Sequence, residues 1–498
     1  MHRLTKHSIL CFIGAVQGIC WGVTCEAETV PAAGKRPPNV VFILADDMGW
    51  TDLHCQGSNY YESPNIDRLA AQGMRFTNGY SCGPNCQPTR AALMTGQYGP
   101  RTGIYTVGAT TRFDTSMRPL VPVENVVELG LEKITIAQML KSAGYATGMF
   151  GKWHLGEDPR HHPRARGFDE AIVSAGRHFE FETNPAVDVP QGAYLADFLT
   201  EKAVDFIERY RDRPFFLYLP HFGVHAPYEA KADKLAHFRK RQPAGGHHDP
   251  TYAAMISSVD DSVGRVLARL EELGLAANTL VIFASDNGGV GGYRAAGVKT
   301  REGVTDNFPL RGGKGMLYEG GVRVPFIFRW PGRIKAGTVC NEPIIGVDLF
   351  PTLVELAHAN PPEVQPLDGV SLLPLLLGHS AGLKRDALYW HFPGYLGSGH
   401  DVWRTTPAGA IRVGDDKLIE FFEDGRLELY NLRADVGQKH DLAKERPDLV
   451  RKLHAQLKNW RQTVSAPMPT RRTNPKRHAV DSTQSEQPNV ANHPETVR

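Results

Sequence analysis

Polar side chains able to bind a cation or carry protons follow directly after four apolar segments of this 498-residue sequence. Each segment is typical of a strand in a mostly parallel sheet, and such strands place their carboxyl ends at one edge, where ligands bind. The side chains are Asp46, Asp47, Lys152, His154, His221, His225, Asp286 and Asn287. Each alone is a common turn, capping or structural residue. Their coincidence at four strand ends predicts one site.

The three carboxylates, Asp46, Asp47 and Asp286, would repel one another if they met without a counter-charge. At 4 Å and an effective dielectric constant of 20, each close pair costs about 4 kcal/mol. A bound cation offsets that repulsion, and carboxylate and amide oxygens favour a hard ion, calcium first and magnesium second. Zinc would require histidine or thiolate ligands. Pairing of the carboxylates with nearby arginine or lysine is the alternative.

Strands and helices alternate along the part of the chain that carries these residues. Asn39–Ala45 is a continuous apolar, β-branched run, which is typical of a strand buried on both faces. Further strands are predicted over 145–150, 214–219 and 280–285, and helices over 198–210 and 252–273. Two more helices are predicted, one that begins at Ser63-Pro64 and one that begins at a capping box formed by Thr135 and Gln138. The alternation predicts an α/β fold, a three-layer sandwich with a large, mostly parallel central sheet.

The sequence changes character after Pro361. A proline-rich connection leads to two predicted strands, 410–422 and 426–432, joined by a turn at 423–425, and then to a helix from 446 to about 460. A three-residue connection cannot cross over, so this sheet should be antiparallel. We expect a large domain over 38–360, a smaller C-terminal α+β domain over 361–462, and a disordered tail over 463–498, which has no apolar period.

The amino terminus has the order of a signal peptide: a basic start, an apolar run from Ile9 to Val23, and a cleavage region near Ala27. We expect residues 1–27 to be removed and the mature protein to be exported to the periplasm or secreted. The alternative is that the segment is retained as a membrane anchor, but the apolar run is short for a membrane helix. The mature chain would keep Cys55, Cys82, Cys86 and Cys340, too few for a disulfide scaffold, with a Cys55–Cys82 pair left open. The net formal charge of +2 argues against nucleic acid as a partner.

A separate segment contains a candidate nucleophile. Residues 81–96 read SCGPNCQPTRAALMTG, in which CQPTR at 86–90 and the following Thr95-Gly96 resemble the sequence motif of the type I sulfatases of the alkaline phosphatase superfamily. GKWHLG at 151–156, SDNGG at 285–289 and RGGKG at 311–315 follow in that family's order. The resemblance covers roughly residues 38–462.

The resemblance implies an enzyme that hydrolyses a sulfate monoester to an alcohol and inorganic sulfate. It implies that a maturation enzyme oxidises Cys86 to formylglycine, an aldehyde that hydrates to a geminal diol. An ordinary serine or cysteine ester would be stable, whereas the second hydroxyl of the diol lets sulfate leave. Pro88 suits a first helical turn, so position 86 would lie at a helix amino terminus, where amide groups favour negative charge.

The resemblance also implies a role for each polar side chain. Calcium would be held by Asp46, Asp47, Asp286, Asn287 and the modified residue 86. Arg90 would orient the diol, while Lys152 and Lys314 would contact the sulfate oxygens. His225 would protonate the leaving alcohol, and His154 would take the proton from the remaining hydroxyl.

Three further histidines are weaker candidates. His221 lies four residues before His225 and is the alternative acid. His178, after Gly167-Phe168-Asp169, and His391, in the aromatic run at 389–393, are candidates for substrate contact, although the aromatic run is equally suited to plugging a domain interface.

The expected substrate is a sulfated saccharide or aryl sulfate, on the strength of the family resemblance. One rival function is hydrolysis of a phosphonate or phosphate ester with the same modified residue. The other is a non-enzymatic glycan-binding protein with an unmodified Cys86.

Overall fold

An eight-stranded sheet forms the centre of the computed structural model, which describes residues 36–299, 303–397 and 403–473. Across the sheet the strands are Thr338–Cys340, Met74–Phe76, Phe326–Arg329, Thr279–Ser285, Asn39–Ala45, Phe215–Pro220, Ala146–Gly151 and Glu170–Val173. Of these eight, only Phe326–Arg329 runs against its neighbours. The prediction of a mostly parallel sheet is therefore confirmed. The expected signal peptide lies outside the described residues.

Helices cover both faces of the sheet because its central strands are apolar on both sides. On Asn39–Ala45, Val41 and Ile43 join one core cluster and Val40 and Phe42 join the other. The first cluster is completed by the helices Pro64–Ala71, Leu195–Arg209 and Pro250–Glu272, and the second by Cys86–Thr95, Ile136–Ser142 and Leu349–Leu356. This is the predicted three-layer sandwich.

Local sequence explains where several helices begin. Thr135 and Gln138 form the predicted capping box, in which the Gln138 backbone amide donates to Thr135 Oγ1 at 3.2 Å.

The shorter helices are Gly99–Thr102, Ala232–Phe238, Glu319–Val322 and Leu373–Leu376. Three two-stranded pairs are Gly79–Tyr80 with Ile344–Ile345, Leu396–Gly397 with Trp403–Thr405, and Leu120–Val121 with Thr470–Arg471.

A four-stranded antiparallel sheet follows in the C-terminal region, with the order Leu388–Phe392, Ala408–Val413, Asp416–Phe421 and Leu427–Asn431. The helix Pro447–Thr463 packs on one face of it, where Leu453 and Leu457 join Ile411 and Leu418. The α+β character predicted for this region is confirmed.

Two details of this sheet differ from the sequence analysis. The single strand predicted over 410–422 is two strands, because Gly414 adopts a left-handed φ of 55° and turns the chain. The aromatic run at 389–393 was not predicted as a strand, yet Leu388–Phe392 pairs with Ala408–Val413.

The other face of the C-terminal sheet packs against the segment that follows the RGGKG motif. Trp390, Ile419 and Tyr430 share a core cluster with Met316 and Tyr318. A buried ion pair lies at the same contact: Lys417 Nζ is 2.7 Å from Glu319 Oε1, and both side chains are fully buried. Burial opposes ionisation of Glu319, but Lys417 and Arg323 lower its pKa to about 2.

The chain stays structured beyond the domain end expected at residue 462. Thr470–Arg471 pairs with Leu120–Val121, and Arg472 donates to the Thr115 carbonyl at 3.3 Å. The disordered tail therefore does not begin at 463 as expected, and residues 474–498 lie outside the described part.

Cys55, Cys82, Cys86 and Cys340 are free thiols. Within the described ranges, no helix is long and apolar enough to cross a membrane.

Lys417→Met should destabilise the protein, because it removes the closest cation from the buried Glu319 carboxylate. Breaking a buried ion pair in this way costs about 3 kcal/mol or more. Lys458→Met, at an exposed position of the helix Pro447–Thr463, is the control and should cost less than about 0.5 kcal/mol. Urea unfolding followed by circular dichroism measures both variants. Equal unfolding midpoints for the two would contradict this role of Lys417.

Candidate active site

Four neighbouring parallel strands bring most of the predicted polar residues together at their carboxyl ends. Asp46 and Asp47 follow the central strand Asn39–Ala45, and Asp286 follows the adjacent strand Thr279–Ser285. The Asp47 amide donates to Asp286 Oδ1 at 3.2 Å, which joins the two strand ends. All three carboxylates are at most 3% exposed.

Cys86 lies at this cluster as the first residue of the helix Cys86–Thr95. Its thiol donates to Asp46 Oδ1 at 3.2 Å and lies 3.8 Å from Asp47 Oδ1. Burial, together with the Asp286 and Asp46 carboxylates, raises the pKa of the Cys86 thiol well above its ordinary value. An unmodified thiol here stays protonated and is a poor nucleophile.

Three basic side chains approach the three carboxylates. Arg90 donates from Nε and Nη2 to Asp286 Oδ2 at 2.9 and 2.8 Å, and its Nη2 lies 3.4 Å from Asp46 Oδ2. Lys152 Nζ is 2.5 Å from Asp46 Oδ2. Lys314 Nζ, from the RGGKG loop, is 2.8 Å from Asp47 Oδ2. The basic pairing that the sequence analysis left open is therefore present.

These charges act unequally on the buried carboxylates. Burial opposes ionisation of Asp46, yet Lys152, His225 and Arg90 hold its pKa well below the usual range. Burial and the nearby Asp46 carboxylate raise the pKa of Asp286, although Arg90 opposes them. The basic side chains therefore offset the negative charge of Asp286 less fully than that of Asp46.

The carboxylate and amide oxygens of the cluster also suit a hard divalent cation. Asp46, Asp47, Cys86 and His225 each place a ligand atom within 4.8 Å of the others. Asn287 donates from Nδ2 to Asp47 Oδ1 at 2.8 Å, whereas its Oδ1 is buried without a hydrogen-bond partner in the described part of the chain. A buried acceptor without a donor costs about 1–3 kcal/mol. A cation bound beside Asn287 Oδ1 would give this oxygen a partner. Carboxylate and amide oxygens are the ligands that calcium prefers.

Two of the candidate histidines belong to the cluster. His225 donates from Nδ1 to the Ala226 carbonyl at 2.6 Å, which directs Nε2 to within 3.7 Å of Asp47 Oδ2. His154 follows Lys152 by two residues with a left-handed φ of 64°. Burial and the charges of Lys152 and Arg90 lower the pKa of His154 well below its ordinary value, so its imidazole is neutral and can accept a proton.

The remaining histidines lie outside the cluster. His221 Nε2 is 2.9 Å from Ser262 Oγ, and burial lowers the pKa of His221 to about 4. His178 is 1% exposed, donates from Nε2 to the His225 carbonyl at 2.8 Å, and so lies behind that residue. His391 donates from Nε2 to the Pro467 carbonyl at 2.8 Å, beside the C-terminal sheet. Substrate contact by His178 or His391 stays a prediction.

Several residues near the cluster were not identified from the sequence. Tyr252 places its hydroxyl 3.1 Å from the Asp47 carbonyl, and Tyr293 donates its hydroxyl to the Lys314 carbonyl at 3.1 Å. Tyr228 and Arg404 lie close by. Nothing in the sequence separates these side chains from ordinary core or surface residues, apart from the position of Tyr228 three residues after His225.

Comparison with known proteins identifies the family. The Sulfatase family model matches residues 38–359, and the model for the C-terminal part of N-sulphoglucosamine sulphohydrolase matches 313–463. A sulfatase from Formosa agariphila is 34% identical over 89% of this chain and 92% of its own. Human N-acetylgalactosamine-6-sulfatase is 37% identical over 70% of this chain and 67% of its own.

Solved structures agree with these matches. The crystal structure of Ps i-CgsB in complex with k-i-k-neocarrahexaose has a TM-score of 0.72 and 31% identity, and the match covers 85% of this chain and 93% of that one. The phosphonate monoester hydrolase of Agrobacterium radiobacter shares the fold, with a TM-score of 0.61 and 20% identity over 88% of this chain and 100% of that one.

Fold and site together define a hydrolase of the alkaline phosphatase superfamily. Within it, the chain belongs to the type I sulfatases, and its reaction is the hydrolysis of sulfate esters.

His178→Ala should lower kcat for sulfate ester hydrolysis five- to tenfold, because it removes a hydrogen bond worth about 1–1.5 kcal/mol that holds the His225 backbone. His391→Ala removes a similarly buried imidazole beside the C-terminal sheet and should leave kcat within about twofold. Sulfate release per folded protein measures both. A loss of the same size in both variants would contradict the positioning role of His178.

Proposed function

We propose that this protein is an exported, calcium-dependent sulfatase that uses formylglycine at position 86 to hydrolyse a sulfate monoester on a carbohydrate. The observation that carries the proposal is the setting of Cys86: a helix amino terminus, 3.2 Å from Asp46 and beside three basic side chains. A protonated thiol is ill suited to attack there. Oxidation of the side chain by a formylglycine-generating maturation enzyme would provide a suitable nucleophile.

Formylglycine and calcium would supply distinct chemistry. A hydrated aldehyde at position 86 would supply a hydroxyl nucleophile and a second hydroxyl that gives sulfate a way to leave. Calcium, held by Asp46, Asp47, Asp286, Asn287 and residue 86, would supply Lewis-acid polarisation. The orphaned Asn287 Oδ1 supports the calcium part of the proposal.

The chain's own basic residues bind and orient the reacting groups. Arg90 is fixed by Asp286 and by its bond to the Lys152 carbonyl at 2.7 Å, so its guanidinium has a defined position from which it would orient the diol of residue 86. Lys152 and Lys314 approach different carboxylates of the cluster. Both ammonium groups are placed to contact sulfate oxygens and to stabilise the charge that grows in the transition state.

The two cluster histidines divide the proton transfers. The Nδ1 proton of His225 is held by Ala226, so the Nε2 proton is the one available to the leaving alcohol. Burial and Lys314 lower the pKa of His225, which makes its imidazolium a stronger acid, while Asp47 acts in the opposite direction and favours the charged form. His154 is neutral, and its buried Nδ1 has no hydrogen-bond partner in the described part of the chain. It is suited to take the proton from the hydroxyl that remains on residue 86.

A carbohydrate substrate is supported by the names of the relatives. The human relative is named for N-acetylgalactosamine 6-sulfate, and Ps i-CgsB was solved with an oligosaccharide. Steryl-sulfatase of Mus musculus is also similar, at 32% identity over 78% of this chain, so the alcohol is a point for experiment. Export rests on the amino-terminal sequence alone.

Cys86→Ala should abolish sulfate release, because no other residue at the cluster offers a nucleophile with an exit for sulfate. Mass spectrometry of the wild-type peptide from cells with the maturation enzyme should show the aldehyde at residue 86. Cys340→Ala, at another free thiol, is the control and should keep full activity. Turnover by Cys86→Ala, or an intact thiol in a fully active enzyme, would exclude formylglycine. A thiol in an inactive protein would favour the glycan-binding alternative.

His225→Ala should reduce hydrolysis of a sugar sulfate at least 100-fold more than that of 4-nitrophenyl sulfate, because an activated phenol leaves without a proton. Steady-state kinetics on both substrates measure the difference, with His221→Ala as the matched control. An equal loss on both substrates in His225→Ala would remove the acid role from His225. A selective loss in His221→Ala would transfer the role to that residue.

Removal of divalent metal with a chelator should inactivate the enzyme, and calcium should restore it more fully than magnesium, because calcium accepts carboxylate and amide oxygens without strict octahedral geometry. Activity assays with each metal test this. Recovery with zinc alone would contradict the calcium assignment.

A faster rate on phenyl phosphonate than on the matched aryl sulfate would favour the phosphonate hydrolase alternative.

A further inference from the structure

Arg404 brings to the candidate active site a positive charge that no carboxylate in the described part of the chain neutralises. It lies in the short strand Trp403–Thr405, and its Cζ is 4.9 Å from the centroid of the Tyr293 ring. Its Nε is buried without a hydrogen-bond partner among the described residues. A guanidinium that forms no ion pair can bind an anionic ligand through charge-assisted hydrogen bonds.

The loop that carries Lys314 fixes the position of Arg404. A Cβ built on Gly315 would lie 3.7 Å from Arg404 Cβ, so the two backbones are adjacent. The Gly315 amide donates to the Pro84 carbonyl at 2.7 Å, two residues before the nucleophile position. Tyr293, under the guanidinium, donates to the Lys314 carbonyl. Arg404 therefore borders the sulfate-binding part of the site.

Arg404 lies near the part of the site that holds Lys314 and the proposed acid His225. His225, the proposed acid, and Lys314 approach the same oxygen, Asp47 Oδ2, at 3.7 and 2.8 Å. Tyr228, three residues after His225, is 36% exposed. Burial and Asp47 raise the pKa of the Tyr228 hydroxyl, while Lys314 and Arg404 lower it, so this hydroxyl lies within electrostatic reach of all three charges. A leaving alcohol that contacts His225 would therefore be flanked by Tyr228 and Arg404.

A second arginine nearby shows by contrast that the charge of Arg404 is available. Arg404 and Arg426 line one cavity of about 160 Å³, beside the segment 316–318. Arg426 forms ion pairs with Glu428 and Asp424, and its Cζ lies 3.9 Å from the centroid of the Phe421 ring. Its charge is thus already offset, whereas that of Arg404 is not.

We propose that Arg404, with the Tyr228 hydroxyl, binds a second anionic group on the leaving alcohol, so that the preferred substrate is a polyanionic saccharide. The inference rests on the proposed sulfatase function. The anionic group is a carboxylate of a uronic acid or a further sulfate, because a planar guanidinium binds either one through two parallel hydrogen bonds. A neutral sugar would leave the guanidinium desolvated and unpaired, which selects against it.

Kinetics on matched substrates test the proposal. The three substrates are a monosulfated neutral saccharide, the same saccharide with a second sulfate, and a disaccharide in which a uronic acid adjoins the sulfated sugar. The wild-type enzyme should prefer at least one charged substrate in kcat/KM. Arg404→Gln should reduce that preference about 10- to 100-fold, the value of a charge-assisted hydrogen bond. Arg426→Gln is the matched control and should retain the wild-type preference.

The two charged substrates distinguish the two sources of charge. A preference for the disulfated saccharide alone identifies sulfate as the ligand, and a preference for the uronic acid alone identifies carboxylate. Arg404→Lys, which keeps the charge but loses the planar fork, should retain part of the preference and serves if Arg404→Gln fails to fold. Raising the ionic strength should also diminish the wild-type preference.

Two results would overturn the anion subsite while leaving the sulfatase function intact. One is a wild-type enzyme that releases sulfate from all three substrates with equal kcat/KM. The other is an Arg404→Gln variant that loses the same factor on the neutral and charged substrates. Failure of the matured wild-type protein to release sulfate from any of the three, or from 4-nitrophenyl sulfate, would overturn both the subsite and the proposed function.

Discussion

Mutual repulsion among three buried carboxylates is the constraint on which the rest of the structure depends. Asp46, Asp47 and Asp286 come together because two adjacent parallel strands end at the same edge, and each close pair costs several kcal/mol without compensation. Arg90 and Lys152 offset part of this cost and thereby acquire fixed positions. Asn287 Oδ1 has no hydrogen-bond donor among the described residues, and this buried oxygen supports the proposal that a cation binds at the cluster.

The C-terminal sheet takes part in the site, because it packs on the loop that delivers Lys314. Trp390 and Ile419 bury apolar surface against Met316, and the Lys417–Glu319 pair lies at the same contact. Arg404 also comes from this region, in a short strand beside Gly315. The central sheet therefore supplies the carboxylate cluster, while the C-terminal region packs against the loop that positions Lys314. In our proposals, substrate preference and reaction chemistry are carried by different parts of the fold.

The central sheet and the carboxylate cluster could be predicted from the sequence, because buried parallel strands are continuous apolar runs and the polar residues follow them directly, as in Asn39–Ala45 with Asp46. The turn at Gly414, which divides the predicted strand 410–422 into two strands, could not be predicted, because a single glycine interrupts an otherwise continuous strand pattern. The strand Leu388–Phe392 was missed because its aromatic side chains suit a ligand platform and a core equally well. Arg404 acquires its position through contacts with Gly315 and Tyr293, 89 and 111 residues away in the sequence, which no local pattern indicates.

Anomalous diffraction from crystals of the matured protein, grown with calcium, tests whether the carboxylate cluster binds calcium beside a modified residue 86. We expect one calcium peak within about 2.3–2.6 Å of oxygens from Asp46, Asp47, Asp286 and Asn287, next to an oxidised residue 86. A peak bound by other residues, or density for an unaltered thiol with no ion among these four side chains in active crystals, would contradict this expectation.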